Sequence, residues 1–250
     1  MRRIGAVLTV VLVLAAACGF PHDTGSTLDD VRDGVLRIGV TANPPWVNVP
    51  SAEPAGSAEP PGSAEPPAGA EVELATRLAA RLHARVEWYP GSESALMAAL
   101  EDRVLDLVIG GLDDKAPWTE QAALTRPYLG IRTVVAAPAG VTVPGDLAGV
   151  EVAVRGGTAD VAALTAAGAR IRAVPEITGG ERVPVAVDEW QLGALGLTES
   201  EHELGAHQHV WAVPPGENAW LSEVEHFLLA LSHDEVVALL VAADRAGGAA

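Results

Sequence analysis

Short apolar runs alternate with segments of helical periodicity over most of the chain, and this alternation limits the fold more than any other feature. Apolar runs typical of strands lie at 36–40, 85–88, 105–109, 131–136, 150–154, 183–187 and 210–213. Helical spacing of apolar residues occurs in 71–82, 94–100, 234–243 and in a segment that Asn218 is predicted to cap. Strands that alternate with helices predict an α/β fold with mainly parallel sheets flanked by helices.

The length and the charge of the chain narrow the choice of class. A chain of 250 residues forms either one compact unit or two lobes of about 100 residues each. The net charge is −17, and Lys115 is the only lysine. Because nucleic-acid binding requires clustered Lys and Arg, we expect no nucleic-acid partner.

The first 18 residues have the pattern of a secretory signal that ends at a cysteine. Arg2 and Arg3 precede an apolar run at 4–14, and three alanines lead to Cys18. This run is shorter than the roughly 20 residues that a membrane-spanning helix needs, so we interpret 1–17 as a signal peptide. The pattern resembles a bacterial lipobox and predicts a lipid on Cys18, with a tether at 18–33. An ordinary signal peptide with an incidental cysteine is the alternative.

Residues 50–70 contain three copies of Ser-Ala-Glu-Pro. Proline removes backbone donors and the segment has no apolar period, so neither a helix nor a strand is predicted. We expect a disordered insertion between a strand and a helix. It is either a tolerated loop expansion, which costs little closure entropy, or an arm that docks on a partner.

Several motifs occur in the order that bacterial ABC-transporter solute-binding proteins of the polar-amino-acid type show. They are LRIGVTANPPWV, GAEVEL, SALMAALEDRVLDLVIGGL, TRPY, DLAGVEVAVRGGT and VAVDEW. The chain resembles this family from about residue 36 to the C-terminal helix. The resemblance implies a type 2 periplasmic-binding-protein fold, with lobe 1 at 34–133 plus 214–250. Residues 134–213 form lobe 2 together with the hinge crossings, which are the extended segments that pass from one lobe to the other. It also implies an extracytoplasmic monomer that acts with an ABC permease and needs no cofactor.

The same resemblance implies a ligand site between the lobes. Trp46 corresponds to an aromatic residue of the family's site, Thr158 to the threonine of its Gly-Thr helix start, and Asp188 to its ammonium-binding aspartate. By this correspondence we expect Trp46, Thr158 and Asp188 to face a ligand.

Four positions depart from the family pattern. Asn43 and Glu93 stand where the family has aromatic residues, Asp113 where it has a hydroxyl, and Trp118 where it has the arginine that clamps a carboxylate. An indole cannot form the bidentate bond of an arginine. Arg126 or Arg155 could replace the clamp.

The exchanged positions suggest another class of ligand. Carboxylates at Glu93, Asp113 and Asp188, together with the Trp46 and Trp118 rings, would suit a cation. The simpler alternatives are that Trp118 packs, that Asp113 caps a turn, and that Glu93 is a solvated acid at a helix start.

Three histidines cluster at His202, His207 and His209. Residues two apart on a strand point to one face, so His207 and His209 form either a metal-binding pair or part of a surface strand. No carboxylate or cysteine has a specific ligand spacing to them, and we predict no metal site.

The predicted function is therefore a lipid-anchored, extracytoplasmic solute-binding protein for a small polar organic ligand, either amino-acid-like or an amine. A ligand sensor or another non-transport lipoprotein of the same fold is the alternative. Enzymes such as cyclohexadienyl dehydratases share the fold, but the chain has no nucleophile elbow, P-loop or HExxH motif. We therefore predict no catalytic residues.

Overall fold

The computed structural model describes residues 25–50, 66–156 and 160–247. The predicted signal peptide, Cys18, Thr158 and most of the 50–70 insertion lie outside these ranges. The strands are β1 Val35–Val40, β2 Arg85–Pro90, β3 Leu107–Asp113, β4 Ala123–Leu124, β5 Leu129–Ala137, β6 Glu151–Arg155, β7 Arg170–Val174, β8 Val185–Asp188 and β9 Thr198–Val213. The helices are α1 Thr27–Val31, α2 Ala70–Arg81, α3 Glu93–Glu101, α4 Asp160–Ala166, α5 Leu192–Leu195, α6 Asn218–Leu228 and α7 His233–Gly247, with a 3-10 turn at Glu189–Gln191.

The strands of the described ranges form one mixed sheet in the order β2-β1-β3-β9-β5-β8-β6-β7, and β4 pairs with β9. At one end β1 pairs in parallel with β2 and β3. At the other end β6 pairs in parallel with β7 and β8. The long strands β5 and β9 join these two parallel sets and are antiparallel to each other. The predicted α/β class is confirmed.

Each parallel set has its own apolar core. The set around β1 packs against α2, α6 and α7 in the largest cluster, which includes Leu74, Trp211 and Trp220. The set around β6 packs in two smaller clusters formed mainly by residues 135–187. Trp190 follows β8 along the chain but belongs to the largest cluster, so it connects the two halves of the molecule.

The length of β9 corrects the sequence prediction. Extended structure was predicted at 208–213, and His207 was considered part of a strand, but the strand begins at Thr198. Residues 198–209 are mostly polar or charged and carry no apolar alternation. They are extended because they pair with β5, from Ala137 opposite Thr198 to Leu129 opposite His209. Tertiary pairing therefore decides this segment, and local propensity does not.

Two chain segments near helix starts also differ from the prediction. Helix α1 lies inside the predicted 18–33 tether, and its residue Val31 is fully buried. Asn218 is the first residue of α6, and the N-cap position belongs to Glu217. Glu217 is 2% exposed and forms an ion pair with the partly exposed Arg103, so a buried carboxylate with a charged partner holds this helix start.

Helices α6 and α7 follow each other near the C-terminal end of the described residues. In the described residues, no single helix is long and apolar enough to cross a bilayer. Helices α6 and α7 meet that criterion only when they are joined, and an 83° bend separates them. Helix α7 contacts both α2 and the 3-10 turn after β8.

Candidate functional site

Two glycines near the end of β3 allow a loop to lie directly on the strand. Gly111 has a φ of 69°. A Cβ atom there would lie 2.7 Å from both Asn43 Nδ2 and Trp46 Cδ1. The Asn43 side chain donates a hydrogen bond to the Gly110 carbonyl at 2.9 Å. The absence of side chains at both positions therefore brings two of the predicted site residues onto the strand.

Glu71 holds the same glycines from beneath. Its carboxylate is fully buried, and one oxygen accepts the backbone N–H groups of Gly110 at 2.6 Å and Gly111 at 2.8 Å. The other oxygen accepts the Tyr128 hydroxyl at 2.6 Å and the Trp211 indole N–H at 3.0 Å. Burial raises the pKa of Glu71, and the four hydrogen bonds oppose that rise. The network fixes the backbone on which Asn43 and Trp46 rest.

The Trp46 ring lies against the ring of His209, with the centroids 4.0 Å apart. Both side chains are buried. Burial lowers the pKa of His209 to about 4, so the imidazole is neutral at pH 7. Within the described ranges, His209 Nδ1 has no hydrogen-bond partner. One face of Trp46 is therefore covered by the protein itself.

Asp113, the last residue of β3, is already hydrogen-bonded twice. One carboxylate oxygen accepts the Lys115 backbone N–H at 2.8 Å, and the other lies 2.9 Å from His207 Nδ1. Partial burial raises the pKa of Asp113, but the hydrogen bonds from Lys115 and His207 outweigh it, so the net pKa is lower than usual. Asp113 is thus an ionised carboxylate that orients His207.

Asp188 ends β8 and lies opposite Thr133 of β5. One oxygen accepts the Thr133 hydroxyl at 3.0 Å and the other accepts the Trp190 indole N–H at 3.3 Å. Burial is the largest cause that raises the pKa of Asp188, and the charge of Asp160 adds to it, while His207 acts in the opposite direction. His207 lies opposite Ile131, two residues before Thr133 on β5, so Asp188 and His207 lie on the same face of the sheet.

Trp118 and Glu93 contact each other. The Trp118 indole N–H donates to the Glu93 carboxylate, and the Trp118 ring packs against the apolar cluster that contains Leu96 and Leu112. This packing is the arrangement that the simpler alternative for Trp118 described. The indole N–H is also occupied by the Glu93 carboxylate.

Arg126 and Arg155 were considered as substitutes for the clamp. Arg126 pairs with Glu225 of α6 at 3.0 Å. Arg155 is an exposed residue at the end of β6, and its charge acts on Asp244 of α7. Neither observation places an arginine beside Asp113 or Asp188.

Several residues of this site were not identified from the sequence. Glu71 has the position of an ordinary solvated acid in a first helical turn. Thr133 and Trp190 have no local signature at all. His207 and His209 were noted as a pair on one strand face, and that pattern was the available signal. Among the described residues, no group of three or more His, Cys, Asp or Glu side chains is arranged to hold a metal ion.

Comparisons with known proteins agree with this architecture. The family model of the bacterial extracellular solute-binding proteins, family 3, matches residues 47–242. An ancestral cationic amino acid solute-binding protein is 20% identical, with a TM-score of 0.66 over 87% of this chain and 98% of that chain. The L-cystine solute receptor of Neisseria gonorrhoeae is 17% identical, with a TM-score of 0.63 over 85% and 93% of the two chains.

A third solved structure comes from Wolinella succinogenes. It is a binding component assigned to an ABC transporter, complexed with lysine, and it is 19% identical to the chain. The TM-score is 0.54 over 83% of this chain and 94% of that chain. Curated proteins give no match to the sequence.

Proposed function

The chain belongs to the bacterial extracellular solute-binding proteins, family 3, and from this membership we propose that it captures a small polar organic ligand for an ABC importer. The family is extracellular, so capture takes place outside the cytoplasm. The fold is the two-lobed α/β fold of the family, with ligand held between the lobes. In this proposal β5 and β9 are the hinge, and closure draws its energy from the higher affinity of the closed state. The chain acts as a binder and not as an enzyme.

The lobe boundaries in this proposal are 34–133 plus 214–250 for lobe 1 and 134–213 for lobe 2 with the hinge crossings. The separate apolar cores on either side of β5 and β9 support this division. The contact of α7 with the turn after β8 adds that the C-terminal helix touches both lobes.

We further propose that the ligand is cationic or neutral and is not held by a carboxylate. The observation that carries this step is the Trp118–Glu93 hydrogen bond, because it occupies the position from which the family's arginine would act. A ligand carboxylate buried without a charged partner would lose about a hundredfold in affinity. Asp188, by contrast, has a carboxylate on the strand next to β5, opposite Thr133.

The remaining predicted contacts enter the proposal with defined roles. Asn43 and Trp46 form one wall above Gly111, Thr158 is included only through its correspondence to the family's threonine, and Asp113 contributes through His207. Glu93 and Trp118 stabilise each other at the rim. The solved structures named for cationic amino acids and for lysine share the fold, and their ligands agree with the proposed class.

Matched pairs of ligands test the missing clamp. L-arginine and agmatine differ only by the α-carboxylate, as do L-lysine and cadaverine. We expect the Kd of each amine to lie within about tenfold of that of its amino acid, because no arginine stands at the clamp position to bind the α-carboxylate. Calorimetric titration gives the four Kd values. A thermal-shift screen of the same compounds provides an independent measure, since a ligand at 100 times its Kd stabilises the fold by about 2.7 kcal/mol.

The opposite result is equally specific. Tight binding of L-glutamate or L-glutamine, with no binding of any amine, would show that another group holds a carboxylate. Loss of that binding in Arg126→Ala or Arg155→Ala would identify the group. The cationic proposal would then be wrong, while membership of the family would stand.

Lipid anchoring is proposed for Cys18, the only cysteine of the chain. We expect Cys18→Ser to abolish labelling by a radioactive or clickable fatty acid and to release the protein from the membrane fraction. The unmodified chain serves as the control in the same cells. Membrane retention of the variant at the level of the unmodified chain would contradict the anchor.

A further inference from the structure

His207 lies on β9, opposite Ile131 of the antiparallel strand β5. Its Nδ1 atom lies 2.9 Å from Asp113 Oδ2. The side chain is 41% exposed and that of Asp113 is 24% exposed. The ring is therefore held at one edge and open to solvent at the other.

The contact with Asp113 decides which nitrogen of the His207 ring donates a hydrogen bond and which can accept one. A lowered pKa keeps Asp113 ionised, and a carboxylate only accepts hydrogen bonds. Nδ1 must then carry the proton, which leaves Nε2 of the neutral ring with a free lone pair. In the described ranges the ring's one hydrogen bond is the bond to Asp113, so Nε2 is available as an acceptor.

The sheet register places this acceptor beside a second one. Ile131, opposite His207, and Thr133, opposite Asp188, are two residues apart on β5. Residues two apart point to the same face, so His207 and Asp188 share a face of the sheet. The Nε2 lone pair of His207 and the carboxylate of Asp188 therefore lie on the same face of the sheet.

We infer that His207 is a specificity-determining residue that accepts a hydrogen bond from the cationic nitrogen of the ligand, with Asp113 orienting the ring. The inference rests on the proposed cationic ligand. It reassigns the role of Asp113, which acts on the ligand through His207. An imidazole Nε2 accepts one hydrogen bond, so an ammonium or guanidinium group shared between His207 and Asp188 satisfies both acceptors.

The contact requires the neutral ring, because a proton on Nε2 would turn the acceptor into a donor. The charged or titratable groups around His207 are Asp113 from β3, Lys115 just after it, His209 from β9 and Asp188 from β8. Asp160 of α4 acts on Asp188.

His207→Asn tests the role directly. Asparagine keeps an amide N–H near the position of Nδ1 but has no atom at the position of Nε2. The matched control is His202→Asn, on the same strand, where the ring contacts the Pro144 carbonyl at 2.7 Å. The probes are agmatine and cadaverine, titrated calorimetrically into the unmodified chain and both variants at pH 8.

We expect His207→Asn to raise both Kd values about 10- to 100-fold at pH 8, the range for loss of a hydrogen bond to a charged group. His202→Asn should bind both amines with the Kd values of the unmodified chain. In the NMR spectrum, the Hε1 signal that disappears in His207→Asn should shift when agmatine is added to the unmodified chain.

The outcomes separate the two proposals. If the unmodified chain binds neither amine, the cationic ligand is wrong and the role of His207 falls with it. If the unmodified chain binds an amine, and His207→Asn binds it equally well, only the role of His207 is overturned. Reduced stability alone cannot imitate the expected result, because it would not account for a shift of the Hε1 signal in the unmodified chain when agmatine is added.

Discussion

Replacing Glu71 with alanine should lower the free energy of unfolding by at least about 4 kcal/mol, because each buried donor left without an acceptor costs about 1–3 kcal/mol. The carboxylate is fully buried and accepts from Gly110, Gly111, Tyr128 and Trp211. A typical domain is stable by only about 5–15 kcal/mol, so the variant should lie near the limit of folding. Urea unfolding at pH 7, followed by far-ultraviolet circular dichroism, measures the loss.

Two further variants show whether the hydrogen bonds cause the effect. Glu71→Gln keeps one carbonyl oxygen for the glycine N–H groups, but its amide group faces Trp211, which can only donate. Its stability should lie between those of the alanine variant and the unmodified chain. Glu73→Ala is the control two residues along α2, where the exposed carboxylate bonds only Arg77 and the expected loss is below about 1 kcal/mol. A Glu71→Ala variant within 1 kcal/mol of Glu73→Ala would contradict the role given to the network.

Periodicity in the sequence is enough to predict the parts of the fold that bury an apolar face locally. The helix at 70–81 and the strands at 35–40 and 151–155 lie within one residue of their predicted bounds. The strand β9 was missed over most of its length because its polar residues 198–209 pair with β5, and no local pattern reports a partner 60 residues away. Fold recognition succeeded because the order of motifs reflects the whole chain.

The site is less predictable because its geometry comes from contacts between distant segments. Glu71 looks like a solvated acid until the amides of Gly110 and Gly111 approach it, and Asp113 looks like a free carboxylate until His207 approaches from β9. Trp118 and Glu93 were assigned separately, although each is the other's partner. A family pattern transfers positions, whereas hydrogen-bond partners depend on which side chains occupy the neighbouring strand.

His209 joins the site to the stability of the whole chain. Its ring is 8% exposed, lies 4.0 Å from the Trp46 ring, and has a pKa lowered by burial from 6.5 to about 4. The unfolded chain therefore takes up a proton on this histidine at a higher pH than the folded chain. His209 thus contributes stability above pH 6.5, and this contribution is lost as the pH falls from 6.5 towards 4.

We expect acidification from pH 7.5 to pH 4 to cost the unmodified chain about 3 kcal/mol more than it costs His209→Phe, since one pKa unit corresponds to about 1.4 kcal/mol. Phenylalanine keeps an aromatic ring against Trp46 but cannot take up a proton. The carboxylates that also titrate in this range are common to both proteins, so their effects cancel in the difference. Urea unfolding of the unmodified chain, His209→Phe and the control His202→Asn at half-unit pH intervals gives the three curves. His202→Asn should follow the unmodified chain. If His209→Phe also follows it, the buried imidazole is not the group that acid titrates, and the stacking on Trp46 must tolerate the charge.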